Sequence, residues 1–334
     1  MLITQLRQRL HDLGAKPCHV DRLMRGWSQV CSYDRAHSTA EGFFPLALRK
    51  ELPAIEAELH GLVRLSSEYP ASEGVARLLV ELADGQMVES VLLPRGGLCV
   101  STQVGCAVGC VFCMSGRAGL QRQLGSAEIV AQVVLARKRR AVSKVVFMGM
   151  GEPAHNLDNV LDAIQLLGTL GNIGHKNLVF STVGDPRVFE RLPQEAVKPA
   201  LALSLHSTDA TLRASLLPLA PQIAVEELVE RAEVYARATS YPVQYQWTLL
   251  EGVNDSDAEL EGIANLLSGK YAVINFIPFN DVDGLTYRRP SAERIAAMVH
   301  TLKQNGILAK IRDSAGQEVE GACGQLRART VKLR

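Results

Sequence analysis

The chain has 334 residues, 47% apolar and 21% charged, with a formal net charge of +1. This is the composition of an ordinary soluble globular protein, long enough for a large core plus a smaller appendage. An aromatic content of 5% argues against a surface built for broad base stacking, and no apolar run approaches the length of a membrane span.

Residues 1–73 read as a helical accessory unit with short loops, its helices at 2–13, 19–29 and 46–59. The opening Met1-Leu-Ile-Thr-Gln-Leu-Arg lacks the apolar region of a signal peptide, so the expected location is the cytoplasm. Thiols stay reduced there, and the seven cysteines read as metal ligands or redox groups before a disulfide framework. Cys18 and Cys31 have no motif around them and read as small apolar packing residues. Basic residues gather in the first fifty positions and at Arg327, Arg329, Lys332 and Arg334, a bias that permits nucleic acid without indicating it.

Residues 74–94 give two apolar strands around Asp84-Gly85, a β-hairpin. From 95 to 318 short apolar strands alternate with amphipathic helices, the strands at 98–103, 144–148, 178–182, 200–205, 243–249, 272–277 and 309–312. Ser126, Asp209 and Asp255 are the expected helix caps. The run Arg137-Lys138-Arg139-Arg140 closes a helix at the negative end of its dipole. Residues 319–334 remain as a C-terminal segment containing Cys323. At least six strand-helix units in one direction predict an α/β fold, a barrel or partial barrel with its chemistry at the strand C-termini. Residues 106–113, 149–152, 181–182, 204–206 and 278–280 all fall there.

The stretch Gly105-Cys-Ala-Val-Gly-Cys-Val-Phe-Cys-Met114 places Cys106, Cys110 and Cys113 close enough to share one metal centre. Three thiolates leave one iron of a cubic iron-sulfur cluster open for another ligand. A structural zinc site is the alternative, although zinc wants a fourth ligand and a paired spacing is missing. In Gly149-Met-Gly-Glu-Pro153, Gly151 lets the main chain approach a ligand and Glu152 can accept from an ammonium group. A strand-to-helix turn needs such glycines anyway. Ser181, Ser204 and His206 likewise have a structural reading as satisfied groups at strand ends.

Together these features resemble the radical S-adenosylmethionine (SAM) superfamily, and more closely its RlmN and Cfr branch of RNA adenine methyltransferases. The resemblance runs through Leu98-Cys-Val-Ser-Thr-Gln-Val-Gly-Cys106, Phe147-Met-Gly-Met-Gly-Glu-Pro153, Leu203-Ser-Leu-His206, Asn275-Phe-Ile-Pro-Phe-Asn280 and Ala322-Cys-Gly-Gln-Leu326. It implies a partial (βα)6-type radical SAM barrel with a [4Fe-4S] cluster on Cys106, Cys110 and Cys113. It also implies S-adenosylmethionine held by Gly151, Glu152, Ser181, Ser204, Leu205, His206 and Asn280. Cys323 corresponds to a cysteine that one cofactor molecule methylates and a second, cleaved to a 5′-deoxyadenosyl radical, activates. Cys99 corresponds to the residue that resolves the RNA adduct through a transient disulfide, and Glu89 to the proton acceptor. Read alone, Glu89 in its strand could equally face solvent.

The implied product is methyladenosine at carbon 2 in 23S ribosomal RNA, and also in transfer RNA. Methylation at carbon 8 and an RNA-binding iron-sulfur protein without turnover are the alternatives. The implied partners are the RNA and an electron donor, with no membrane and a monomeric chain. Two segments depart from the family pattern, Met114-Ser115-Gly116 and residues 281–285, and both are expected to bear on which RNA enters.

Overall fold

A computed structural model describes residues 1–35, 38–282 and 284–329; Lys332 and Arg334 of the basic group lie outside them. Helices α1 (Ile3–Asp12), α2 (Pro17–Gln29), α3 (Ala40–Phe43) and α4 (Leu46–Gly61) form the N-terminal unit. Pro17 opens α2, where its missing N–H costs nothing, and Val20, Leu23, Met24 and Trp27 form the buried stripe. Cys18 lies off that stripe and Cys31 follows the left-handed cap Val30; both are exposed, which corrects their expected packing role.

The helical reading to residue 73 ends early, because Val63–Pro70 is a strand, β1. Its buried and exposed positions largely alternate, as they do in a sheet-edge strand with one face covered. It pairs antiparallel with β2 (Ala76–Leu82), which pairs antiparallel with β3 (Met87–Leu93). The expected hairpin is therefore two strands of a three-stranded extension.

The barrel elements follow as β4 (Gly97–Cys99), β5 (Gln103–Gly105), β6 (Leu120–Gln123), α5 (Ser126–Arg137), β7 (Lys144–Phe147), α6 (Leu157–Thr169), β8 (Leu178–Thr182) and α7 (Pro186–Arg191). Then come β9 (Ala200–Ser204), α8 (Ala210–Leu216), α9 (Val225–Thr239), β10 (Val243–Leu249), α10 (Asp257–Leu267), β11 (Ala272–Pro278), α11 (Ala292–Gln304) and β12 (Ala309–Ile311). Among the described residues ten strands form one open sheet, ordered β1-β2-β3-β4-β7-β8-β9-β10-β11-β12. The run from β4 to β12 is parallel, so the fold is the expected α/β partial barrel.

The strand expected over 98–103 is two strands. The chain leaves the sheet after Cys99, and Ser101 turns it by donating to the Glu89 carbonyl at 2.6 Å while its N–H meets Gln132 Oε1 at 2.9 Å. β5 then pairs antiparallel with β6 as a separate ribbon. Two caps also shift by one residue. Gly125 precedes α5, and Ser126 Oγ instead accepts the Ile3 N–H at 2.8 Å. Ser256 caps α10, while Asp209 caps α8 as expected.

Helix α5 is not amphipathic: nearly every residue from Ser126 to Ala136 is buried. Sequence explains this, since Ala, Ile, Val and Leu surround the helix on all sides and it lies between the sheet and the N-terminal helices. One apolar core accordingly runs from α1 through the barrel. The cations after α5 do more than meet its dipole. Arg137 donates to the carbonyls of Ser28 and Gly171 at 2.6 and 2.7 Å, and Arg140 to those of Gly74 and Gly97 at 2.7 and 3.0 Å.

Candidate active site

The three clustered cysteines sit on the tip of the β5–β6 ribbon. Gly105 is required at its base, because with φ +79° a Cβ there would lie 2.0 Å from the Gly119 carbonyl oxygen. Cys106, Cys110 and Cys113 line one wall of a cavity of about 150 Å³, facing Glu152, Ser181, Ser204, His206 and Asn280. Burial pushes the Cys106 thiol up to about 12, Cys110 well above its ordinary range and Cys113 upward. Metal binding there therefore releases protons. Among the described residues no group of three His, Cys, Asp or Glu closes around a single ion. Three cysteine thiols on one wall of the cavity are the donor set that a [4Fe-4S] cluster with one open iron would take.

At the opposite wall Gly151 has φ +106°, and a Cβ would strike the Gln103 side chain at 2.7 Å. Gln103 Oε1 accepts the Glu152 N–H at 2.7 Å and so fixes this turn. The buried Glu152 carboxylate accepts from the N–H groups of Ala154 and Val183, each at 3.2 Å. Burial nevertheless outweighs these bonds and that of Thr182, raising Glu152 to about 7. A cationic amine from a ligand would restore the charged form.

His206 adopts a left-handed conformation, φ +62°. Its Nδ1 accepts the Thr248 N–H at 2.9 Å, which leaves the Nε2 tautomer protonated. Burial first and Arg213 second depress its pKa to about 3, so the ring is neutral. Arg213 itself ties the loops after β8 and β9 by donating to the carbonyls of Val183 and Ser204 at 2.6 and 3.1 Å. Leu205 does not line the cavity; its side chain is fully buried and its N–H is spent on Gln246 O at 3.0 Å.

A second cavity, about 250 Å³, adjoins the first through Cys113, Ser115, Met148, Gly149, Arg312 and Cys323, which line both. Cys99 lines only this second one. Cys99 and Cys323 are free thiols, so the implied disulfide is not formed in this structure. Burial, reinforced by Cys323 and opposed by Arg312, lifts Cys99 to about 12.

Glu89 lines neither cavity. It is fully buried rather than solvent-facing, ion-paired with Arg77. Its other oxygen accepts the Arg327 N–H at 2.8 Å, so the C-terminal segment lies across it. Burial raises its pKa and Arg77 opposes the rise. The structure thus gathers the triplet, Glu152, the two serines, His206, Asn280 and both outer cysteines, and leaves Glu89 and Leu205 behind the walls.

Gln246, Thr248 and Arg312 were not singled out from sequence, yet all line the first cavity, as does Ser115, which sequence marked only as part of a departure from the family pattern. Alternation in Val243-Gln-Tyr-Gln-Trp-Thr-Leu249 was the available signal for two of them, since a polar face on a central parallel strand must have something polar to meet. The rule about strand C-termini, applied to the last strand, would have found Arg312. It donates to Gln246 Oε1 at 3.2 Å and lies 3.7 Å from Met148 Sδ, across the barrel from its own strand.

Three comparisons bear on this arrangement. Residues 100–262 match the Radical SAM superfamily. A crystal structure of a radical SAM methyltransferase from Sphaerobacter thermophilus superimposes with a TM-score of 0.84 at 34% identity, covering 98% of both chains. A probable RNA methyltransferase of Azoarcus sp. (strain BH72) is 68% identical over 333 residues, 100% of this chain and 96% of that protein. Another, from Pseudomonas aeruginosa, is 68% identical over 329 residues, 98% of this chain and 95% of that one. The chain therefore belongs to the radical SAM superfamily, within its family of RNA methyltransferases. The resemblance to RlmN agrees with this placement.

Proposed function

We propose that the chain methylates a ring carbon of an adenosine in RNA, carbon 2 of a 23S ribosomal RNA adenosine and also transfer RNA, in the cytoplasm. The observation that carries the reading is the meeting of Cys99 and Cys323 in a cavity that opens into the one lined by the cysteine triplet. A generic radical generator has no use for two further thiols there.

Cys106, Cys110 and Cys113 would hold the [4Fe-4S] cluster, and Glu152, Ser181, Ser204 and Asn280 would hold S-adenosylmethionine, with Glu152 taking its amino group. When bound, these groups supply a methyl group and the radical that abstracts hydrogen from it. The protein's own residues do the rest. Cys323 carries the methyl carbon on its sulfur and joins it to the RNA. Glu89 takes the ring proton once the C-terminal segment that covers it through the Arg327 N–H has lifted. Once the adduct has passed its odd electron back to the redox group that the triplet would hold, the Cys99 thiolate attacks the Cys323 sulfur, the carbon-sulfur bond breaks with its electron pair going to the methylene carbon, which takes a proton to become methyl, and a disulfide forms that an external thiol reopens. The guanidinium of Arg312 favours the thiolate of Cys99 against burial.

Anaerobic incubation with methyl-labelled cofactor, a reductant and bulk RNA, followed by nucleoside mass spectrometry, tests the reading. Labelled 2-methyladenosine with 5′-deoxyadenosine is expected. A label at carbon 8 would move the site on the ring, and RNA methylation without 5′-deoxyadenosine would sink the radical step.

A further inference from the structure

The turn after the cysteine triplet, Met114–Gly116, supplies no cysteine, yet it touches the C-terminal segment twice. The Met114 N–H donates to the Gly324 carbonyl at 2.7 Å, and Ser115 Oγ donates to the Leu326 carbonyl at 2.8 Å. These acceptors lie one and three residues beyond Cys323. Ser115 and Leu326 are 6% and 5% exposed, so water does not compete for the bond. Ser115 thus ties the turn after the triplet to the main chain that carries Cys323.

The remaining grips on the segment come from elsewhere. Asn280 Nδ2 donates to the Cys323 carbonyl at 3.0 Å, and Gln325 Nε2 to the Asp281 carbonyl at 2.9 Å, both from the end of β11. The Arg327 N–H goes to Glu89 on β3. Among the described residues, the hydrogen bonds that join the segment to the cysteine loop itself are those of Met114 and Ser115. The Met114 contact is main chain to main chain and tolerates other side chains there. The Ser115 contact needs a hydroxyl, because an apolar side chain would leave the Leu326 carbonyl buried without a donor, which costs more than a hydrogen bond gains.

We infer that Ser115 is a positioning residue, whose hydroxyl docks the Cys323 segment against the cysteine loop and so sets where the carrier sulfur stands relative to the triplet. This rests on reading Cys323 as the methyl carrier. It also gives the departure at Met114-Ser115-Gly116 a physical role: the turn after the triplet holds the protein's own C-terminal segment.

The test compares the anaerobically purified, iron-loaded full chain with Ser115→Ala and Ser115→Thr. Peptide-level hydrogen exchange over residues 321–329 is read against α9 and α10, and the S-methyl fraction of the Cys323 peptide is measured after incubation with cofactor alone. For Ser115→Ala, exchange over 321–329 is expected to rise about fivefold, the worth of one buried hydrogen bond. The helices should be unchanged, the iron-sulfur absorption retained and the S-methyl fraction lowered. Ser115→Thr should restore both readouts. Unchanged exchange over 321–329 in Ser115→Ala, or an equal rise in α9 and α10, overturns the inference. The exchange readout needs no RNA. A segment loosened in Ser115→Ala while neither protein methylates RNA would keep Ser115 as the dock and count against the RNA reading alone.

Discussion

Glu89 Oε2 accepts the main-chain N–H of Arg327 at 2.8 Å, four residues beyond Cys323. The carboxylate proposed to take a proton from RNA is therefore covered by the same segment that presents the carrier sulfur. Arg77 holds its other oxygen, lies over the Tyr69 ring at 4.3 Å, and also donates to the Arg329 carbonyl at 3.2 Å. Lifting the segment removes one bond from each member of the Arg77–Glu89 pair at once.

Replacing Arg77 alone should be costly. Both side chains are at most 1% exposed, so Arg77→Met leaves a buried carboxylate without its counter-charge, a loss of about 3–5 kcal/mol. The double variant Arg77→Met, Glu89→Leu should recover most of it. Denaturant unfolding of the three proteins measures this, and a single variant within about 1 kcal/mol of the parent would contradict the uncompensated-charge argument.

Cys99→Ala should trap RNA on the protein. With the resolving thiol gone, the adduct through Cys323 persists, and a denaturing gel after turnover should show a cross-linked species sensitive to ribonuclease. The double variant lacking Cys323 as well should show none. Free RNA in the Cys99→Ala lane would remove Cys99 from the proposed sequence.

Gly105→Ala should lose iron. A Cβ 2.0 Å from the Gly119 oxygen, in a backbone region that L residues avoid, forces the two ribbon strands apart where the cysteine loop begins. Iron per chain after reconstitution should fall severalfold, whereas Gly14→Ala, with positive φ but open space around it, should keep its iron.

His206 gives the apoprotein an acid sensitivity of definite sign. Its folded pKa of about 3 lies below the ordinary value of 6.5, so the unfolded chain binds the extra proton. The stabilisation is complete above pH 6.5 and is lost as pH falls towards 3, at about 1.4 kcal/mol per unit. His206→Gln should lack that part of the slope. The difference in unfolding free energy between the two proteins at pH 7 and pH 5 checks it, and parallel curves would show that the ring is not held neutral by the fold.

Much of this was legible in the chain because its signals are local. Three cysteines at fixed spacing, glycines at strand-to-helix turns and alternating strand and helix patterns each need only a few neighbours to be read. What escaped depends on contacts distant in sequence. β1 follows a helix directly, and its alternation was absorbed into the helical run. Ser101 ends β4 by bonding to Glu89 and Gln132, partners that no local pattern announces. Arg312 and Ser115 acquire their surroundings only when β12 and the C-terminal segment fold back over the barrel mouth.

Cys99 stands on a strand paired on both sides, opposite Val91 and Val146, whereas Cys323 lies on an irregular loop and is exposed. Of two sulfurs that must meet, one is anchored in the sheet and the other is on a tether. In the proposed sequence the anchored sulfur would fix the meeting point, and the tethered one would travel to it loaded. The sheet would hold that point fixed through every round, leaving the movement to the loop that carries Cys323.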